Sequence, residues 1–208
     1  MKLRFLFLLT TLFVTLLSYG KINKLKTGIW YGSFELSKKD QLPILFEIEK
    51  NKREYSMSII NGSERIILND ITHFGDSIYI SFPAFASEFR LAVIDKNTIR
   101  GNWYNYAKKG NYYLPFSAIS NSPSRYPDVE NSADVAGKWE VTFDYNSDDA
   151  EKAIGLFKDA SYHCSYGGKR SNIVTGTFLT ETGDYRFLEG ATINDSLYLS
   201  TFDGSHAF

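Results

Sequence analysis

Cysteine is almost missing from this 208-residue chain: Cys164 stands alone, which excludes an internal disulfide and any Cys-x-x-Cys redox or zinc motif. Proline is scarce too, with five in all, so long extended segments can pair without interruption. Neither sign of charge dominates. Lys and Arg total 23, Asp and Glu total 24, and the net charge is −1, which argues against a general nucleic-acid binder. There is no phosphate-cradling glycine loop and no Asp-rich calcium loop. His73, His163 and His206 are too scattered to suggest a metal site. After residue 20 no apolar run is long enough to span a bilayer as a helix.

What the chain does have is aromatic residues, 14 Tyr, 16 Phe and 3 Trp, a composition suited to pleated, half-buried surfaces. From residue 27 to 119 short alternating runs are separated by turn residues. Trp30, Phe34 and Leu36 share one face of the first run, Ile44, Phe46 and Ile48 one face of the second, and Tyr55, Met57 and Ile59 one face of the third. A period of two over so many runs predicts antiparallel strands with one face buried. About eight strands are expected, at 28–36, 42–50, 53–60, 63–70, 76–82, 88–95, 98–104 and 112–119. Asn61-Gly62 carries a strong hairpin signal. Hairpin-length loops between them point to a meander, closed as a small barrel or folded as a sandwich.

The pattern then repeats. Gly28-Ile29-Trp30 returns as Gly137-Lys138-Trp139, and Asp76-Ser77-Ile78-Tyr79-Ile80-Ser81 returns as Asp195-Ser196-Leu197-Tyr198-Leu199-Ser200. The second match is a shift of 119, from Asp76 to Asp195, and it carries Phe89 onto Phe208. The expected organisation is a first β unit at 27–119, a linker at 120–136 holding Pro123 and Pro127, and a second β unit at 137–208. Strands of the second unit are expected at 137–145, 152–158, 172–179, 184–189 and 196–202, with 148–153 as an alternative helical turn. About three strands of the first unit have no counterpart in the second. The Tyr- and Gly-rich insert at 160–171 has no counterpart in the first, and is expected to be a loop.

Residues 1–20 read as a secretory signal helix. Lys2 and Arg4 precede an apolar run from Phe5 to Leu17, and Ser18 and Gly20 put small residues at the −3 and −1 positions of a cut. Such a run reaches only about 20 Å as a helix, against roughly 30 Å of hydrocarbon. The expected location is therefore the periplasm or cell envelope; the alternative is an uncleaved N-terminal anchor, since Tyr19 and Lys21 flank the cut imperfectly.

No catalytic residue, metal ligand or cofactor site emerges from these patterns. Cys164 beside His163 reads as a loop thiol, because neighbours on a strand point to opposite faces. Asp203, Ser205 and His206 read as turn formers, with a hydrolase as the remote alternative. Gly-x-Trp at Trp30 and Trp139 is the kind of opening found in lipocalin-type barrels, and Trp103-Tyr104 lies in an aromatic stretch that suits stacking as well as cross-strand pairing. Trp30, Trp103, Tyr104 and Trp139 are thus the candidate ligand or partner contacts. A carrier of a small hydrophobic ligand would need a cavity lined by residues such as Trp30, Phe46 and Met57.

The stretch from Gly101-Asn102-Trp103-Tyr104-Asn105-Tyr106 to Leu114-Pro115-Phe116, then Gly137-Lys138-Trp139-Glu140-Val141-Thr142-Phe143, Thr175-Gly176-Thr177-Phe178-Leu179-Thr180-Glu181-Thr182-Gly183-Asp184-Tyr185-Arg186-Phe187-Leu188-Glu189-Gly190 and Phe202-Asp203-Gly204-Ser205-His206-Ala207-Phe208, resembles the N-terminal β-rich region of bacterial TlpA-like thioredoxin-family disulfide reductases. In that family the region precedes a thioredoxin-fold domain whose Cys-x-x-Cys pair exchanges disulfides in the cell envelope. The resemblance implies an exported, non-catalytic accessory module, here as a C-terminally truncated fragment. Its partners would be the thioredoxin-like domain of longer relatives or another envelope protein. No position matches the Cys-x-x-Cys pair, so no catalytic residue is implied.

The leader reading predicts that the exported protein begins at Lys21. Mass spectrometry of its N-terminus tests this, and retention of Met1 in a membrane-bound form would favour the anchor instead.

Overall fold

The computed structural model describes residues 25–52, 54–121, 124–127, 133–160 and 172–208. The expected signal segment 1–20, and Cys164 with His163, lie outside them. The described chain is all β. Nine strands form the first sheet: β1 (Gly28–Glu35), β2 (Gln41–Asn51), β3 (Glu54–Asn61), β4 (Glu64–Leu68), β5 (Ile71–Phe74), β6 (Ser77–Ser81), β7 (Ser87–Asp95), β8 (Thr98–Asn105) and β9 (Tyr113–Ser120). Their order is β4-β3-β2-β1-β9-β8-β7-β6-β5, antiparallel throughout. The sheet's two edges, β4 and β5, are consecutive in the chain, joined only by Asn69 and Asp70. The sheet must therefore curl until its edges meet, which makes a nearly closed barrel.

One strand more appears than the eight expected. The extra strand is β5, four residues long, in a stretch whose Gly75-Asp76 turn signal masked it. Alternation fills the barrel's interior: Trp30 and Phe34, Ile44, Phe46 and Ile48, Met57 and Ile59, Phe89 and Leu91, Ile99 and Trp103, and Phe116 are all buried in one core. Leu36, expected on that face, lies past the end of β1 and is exposed. Gly32 shares the inward face of β1 with Trp30 and Phe34, and its missing side chain is the space that the Phe116 and Phe46 rings occupy.

The second sheet runs β10 (Gly137–Phe143), β11 (Glu151–Asp159), β12 (Ile173–Leu179), β13 (Asp184–Ile193), β14 (Ser196–Ser200) in chain order, a half-barrel. Its registers copy those of the first. Gly28 pairs with Ile48 as Gly137 pairs with Phe157; Leu45 pairs with Ile60 as Ile154 pairs with Leu179; Ile59 pairs with Ile66 as Phe178 pairs with Tyr185; Ile71 pairs with Ile80 as Gly190 pairs with Leu199. Local geometry repeats as well. Gly28 and Gly137 both hold φ above 100°, and the two indoles donate to carbonyls four residues upstream, Trp30 to Lys26 at 2.9 Å and Trp139 to Val135 at 2.8 Å.

One departure from the first unit and two from the sequence expectations stand out. β13 is continuous where the first unit breaks between β4 and β5, because a bulge at Phe187 (φ 56°) keeps the strand in contact with β12. Residues 144–150 form turns rather than a helix, and β11 starts at Glu151. β14 ends at Ser200 instead of 202, because the chain leaves the sheet there.

Residues 201–208 make a small finger. Thr201 and Phe208 exchange two backbone hydrogen bonds, and the Asp203 carboxylate accepts from the amides of Ser205 and His206. The Phe202 ring enters the first barrel, where it packs against Phe34 at 4.7 Å, Trp103 at 5.2 Å and Phe82 at 5.5 Å. Three side chains of the barrel grip the finger's backbone: Asn61 donates to the Phe202 carbonyl and accepts from its amide, Ser87 donates to the Gly204 carbonyl, and Asn105 donates to that of Ser205. Gly204 (φ 92°) is required here, since a methyl group would overlap the Phe82 ring.

Phe202→Ala is expected to destabilise the chain by about 3–5 kcal/mol, the usual range for deleting a buried ring. Urea unfolding followed by the fluorescence of Trp103, which touches that ring, provides the measurement.

Candidate functional site

The four residues singled out from the sequence do not converge. Trp30 and Trp103 are fully buried in the first barrel. Tyr104 follows Trp103 on β8 and so points outward, where the Arg90 guanidinium lies 4.9 Å above its ring and Tyr113 of β9 packs beside it. Trp139 is on β10, 47% exposed. Around Trp30 the interior is occupied: Phe46 stacks on it at 6.0 Å, and Met57 is buried in the same core. A ligand lined by Trp30, Phe46 and Met57 would have to displace those side chains.

Sequence reasoning missed Arg125, a buried cation in the expected linker. Its guanidinium donates to the Ser200 carbonyl at 2.8 Å, to the Ser200 hydroxyl at 3.1 Å, to the Asn61 side-chain oxygen at 3.1 Å and to the Ile60 carbonyl, and its Nε lies 3.7 Å from Glu189. Burial pulls the guanidinium's pKa below its ordinary value, and the Glu189 carboxylate opposes that pull. Glu189 in turn accepts from the Gly62 amide at 2.9 Å, and the Ser200 hydroxyl donates to the Pro43 carbonyl at 2.8 Å. One cation thus ties the end of β3 to the middle of β13 and the end of β14. Leu45 and Ile60, which face out of the first barrel, are buried beside it at 2% and 1% exposure.

Next to this clamp a cleft of about 930 Å³ separates Leu45, Ile60 and Arg65 of the first unit from the outer face of β11–β13. Charges of both signs line it and pair locally. Arg186 contacts Asp184 at 2.9 Å, and Glu189 is held by Arg125 and Gly62. The concave face of the half-barrel is different in kind. Ala153, Phe157, Val174 and Phe178 form its floor, Val141, Phe143, Leu197 and Leu199 are only partly covered, and β10 and β14 are unpaired edges of the sheet.

Among the described residues no constellation for group transfer assembles at the remaining polar side chains. Asp203 lies 3.3 Å from the His206 ring, but its other oxygen caps two backbone amides of the finger's turn, and His206 is exposed. Among the described residues no group of His, Cys, Asp and Glu could hold a metal ion, and no helix is long and apolar enough to cross a membrane. Comparison with protein-family models, curated proteins and solved structures found no match to this chain.

Arg125→Ala should cost about 3–5 kcal/mol, because it strands buried acceptors and the Glu189 carboxylate. Arg125→Lys should recover only part of that, since an ammonium lacks the planar fork that reaches Ser200 and Ile60 together. Equilibrium unfolding of the two variants measures both effects, and equal stability of all three chains would remove the clamp's importance.

Proposed function

We propose that this chain is a non-catalytic, exported β module that accompanies a thioredoxin-like thiol-disulfide reductase in the cell envelope. The partner would be the thioredoxin-like domain that follows such modules in longer relatives, and the 208 residues would be part of such a longer protein. The observation that carries the reading is the half-barrel's open concave face, floored by Phe157 and Phe178 and flanked by two unpaired strand edges. A barrel with an uncovered apolar surface beside it is the form of a docking body, and among the described residues no nucleophile is paired with a general base.

Two further features support it. The motifs from Gly101 to Phe116, from Gly137 to Phe143, from Thr175 to Gly190 and from Phe202 to Phe208 resemble that family's β region. The single thiol has no partner Cys with which to cycle between dithiol and disulfide. A lipocalin-like carrier role receives less support, because Trp30, Phe46 and Met57 are packed in the barrel's core.

An insulin-reduction assay with dithiothreitol tests the non-catalytic part. The chain alone should precipitate insulin no faster than buffer, and Cys164→Ser should change nothing. Acceleration by the chain that disappears in Cys164→Ser would overturn the reading.

A further inference from the structure

We infer that the concave face of the half-barrel is an acceptor for a three-stranded antiparallel meander, inserted between β14 and β10, and that this meander belongs to the same polypeptide. The inference rests on the module reading only for the source of the strands. The site itself is argued from the internal repeat.

The matched registers make the first barrel a template. β10 to β14 correspond in pairing to β1, β2, β3, the interrupted β4-β5 and β6. In the first unit the space between β6 and β1 is filled by β7, β8 and β9, whose inward residues Phe89, Leu91, Trp103 and Phe116 close the core. In the second unit no described strand fills the same space, and the consequence is visible at one residue. Trp30 and Trp139 make the same hydrogen bond in the same register, yet Trp30 is 0% exposed and Trp139 47%.

Strand direction restricts what can fill the gap. β10 and β14 are the first and fifth strands of an antiparallel meander, so they run the same way. Only an odd number of inserted strands can pair antiparallel with both. One strand is too narrow to reach from edge to edge if the second unit has the curvature of the first, where three do so. Side chains alternate along each inserted strand, so the filler needs large apolar residues at every second position, equivalent to Phe89, Trp103 and Phe116. A lone amphipathic helix would leave the edge amides and carbonyls of β10 and β14 unpaired.

The source follows from the finger. Thr201 and Phe208 exchange hydrogen bonds at 2.8 and 3.1 Å, the place where Phe82 bonds to Ser87 at the start of β7. Phe208 therefore already lies beside the end of β14 with its ring inside the half-barrel, 4.6 Å from Tyr185, 6.0 Å from Phe178 and 6.1 Å from Phe143. A chain leaving Phe208 in that direction runs antiparallel along the free edge of β14, as β7 runs along β6.

The experiment compares acrylamide quenching of tryptophan in the 208-residue chain and in a chain extended by whatever its gene encodes after Phe208, with Trp139→Phe in each to assign the signal. The 208-residue chain should show a quenchable component that Trp139→Phe removes, and the extended chain should lose it. A stop codon directly after Phe208, or a Trp139 that stays quenchable in the extended chain, would overturn the inference. So would sedimentation showing that the 208-residue chain dimerises and thereby protects Trp139, because a second copy would then be the filler. An extended chain that protects Trp139 but encodes no Cys-x-x-Cys domain would leave this inference standing and remove the reductase reading.

Discussion

A guanidinium taken out of water needs acceptors and a counter-charge, and Arg125 finds both across the two units, its two terminal nitrogens hydrogen-bonded and its Nε left with only the Glu189 carboxylate at 3.7 Å. Ile60 and Asn61 come from the end of β3, Ser200 from the end of β14, and Glu189 from β13. The large desolvation cost of a buried cation is offset only while these groups stay together. Asn61 then extends the network, since the oxygen that accepts from Arg125 also accepts from the Phe202 amide, and the amide nitrogen donates to the Phe202 carbonyl. Phe202 in turn sits among Phe34, Phe82, Phe89 and Trp103. The polar clamp and the aromatic plug are thus one continuous set of contacts, and the second sheet is anchored in the core of the first.

The duplicated units differ in cover rather than in pairing. Their shared registers mean that inward residues occupy equivalent places, yet the first unit completes its core with β7–β9 whereas the second leaves part of its core partly exposed. The offset between copies changes from 109 at Trp30 and Trp139 to 119 at Ile59 and Phe178, and the extra ten residues fall between β11 and β12. Insertion in a connection leaves a ladder's register intact. The outer face of the first barrel shows the adaptation to its neighbour: Leu45 and Ile60, opposite each other on β2 and β3, are apolar on the side a free barrel would give to water.

Local structure was legible in the sequence because period two is a local signal. Ile44, Phe46 and Ile48 face inward as expected, and a hairpin forms where Asn61-Gly62 signals one, although its two-residue loop is Gly62-Ser63 and Asn61 still pairs with Glu64. The contacts between units were not legible, because they join residues 75 and 141 positions apart. Arg125 looked like one polar residue in a linker, and Phe202 like the end of a strand. One clue was present. Leu42-Pro43-Ile44-Leu45-Phe46 and Ile59-Ile60 are apolar on consecutive positions, which means burial on both faces of the strands and hence a second layer over the barrel. A Gly-x-Trp opening and an aromatic stretch point to Trp30 and Trp103 as contacts, but burial in the core accounts for both; Trp139 stands out because its twin is covered and it is not.

The most direct measurement of the coupling between the two sheets is scanning calorimetry of the intact chain. A single transition, with calorimetric and van't Hoff enthalpies in agreement, is expected if Arg125 and Phe202 join both units into one cooperative body. Two separable transitions, one for each sheet, would contradict it.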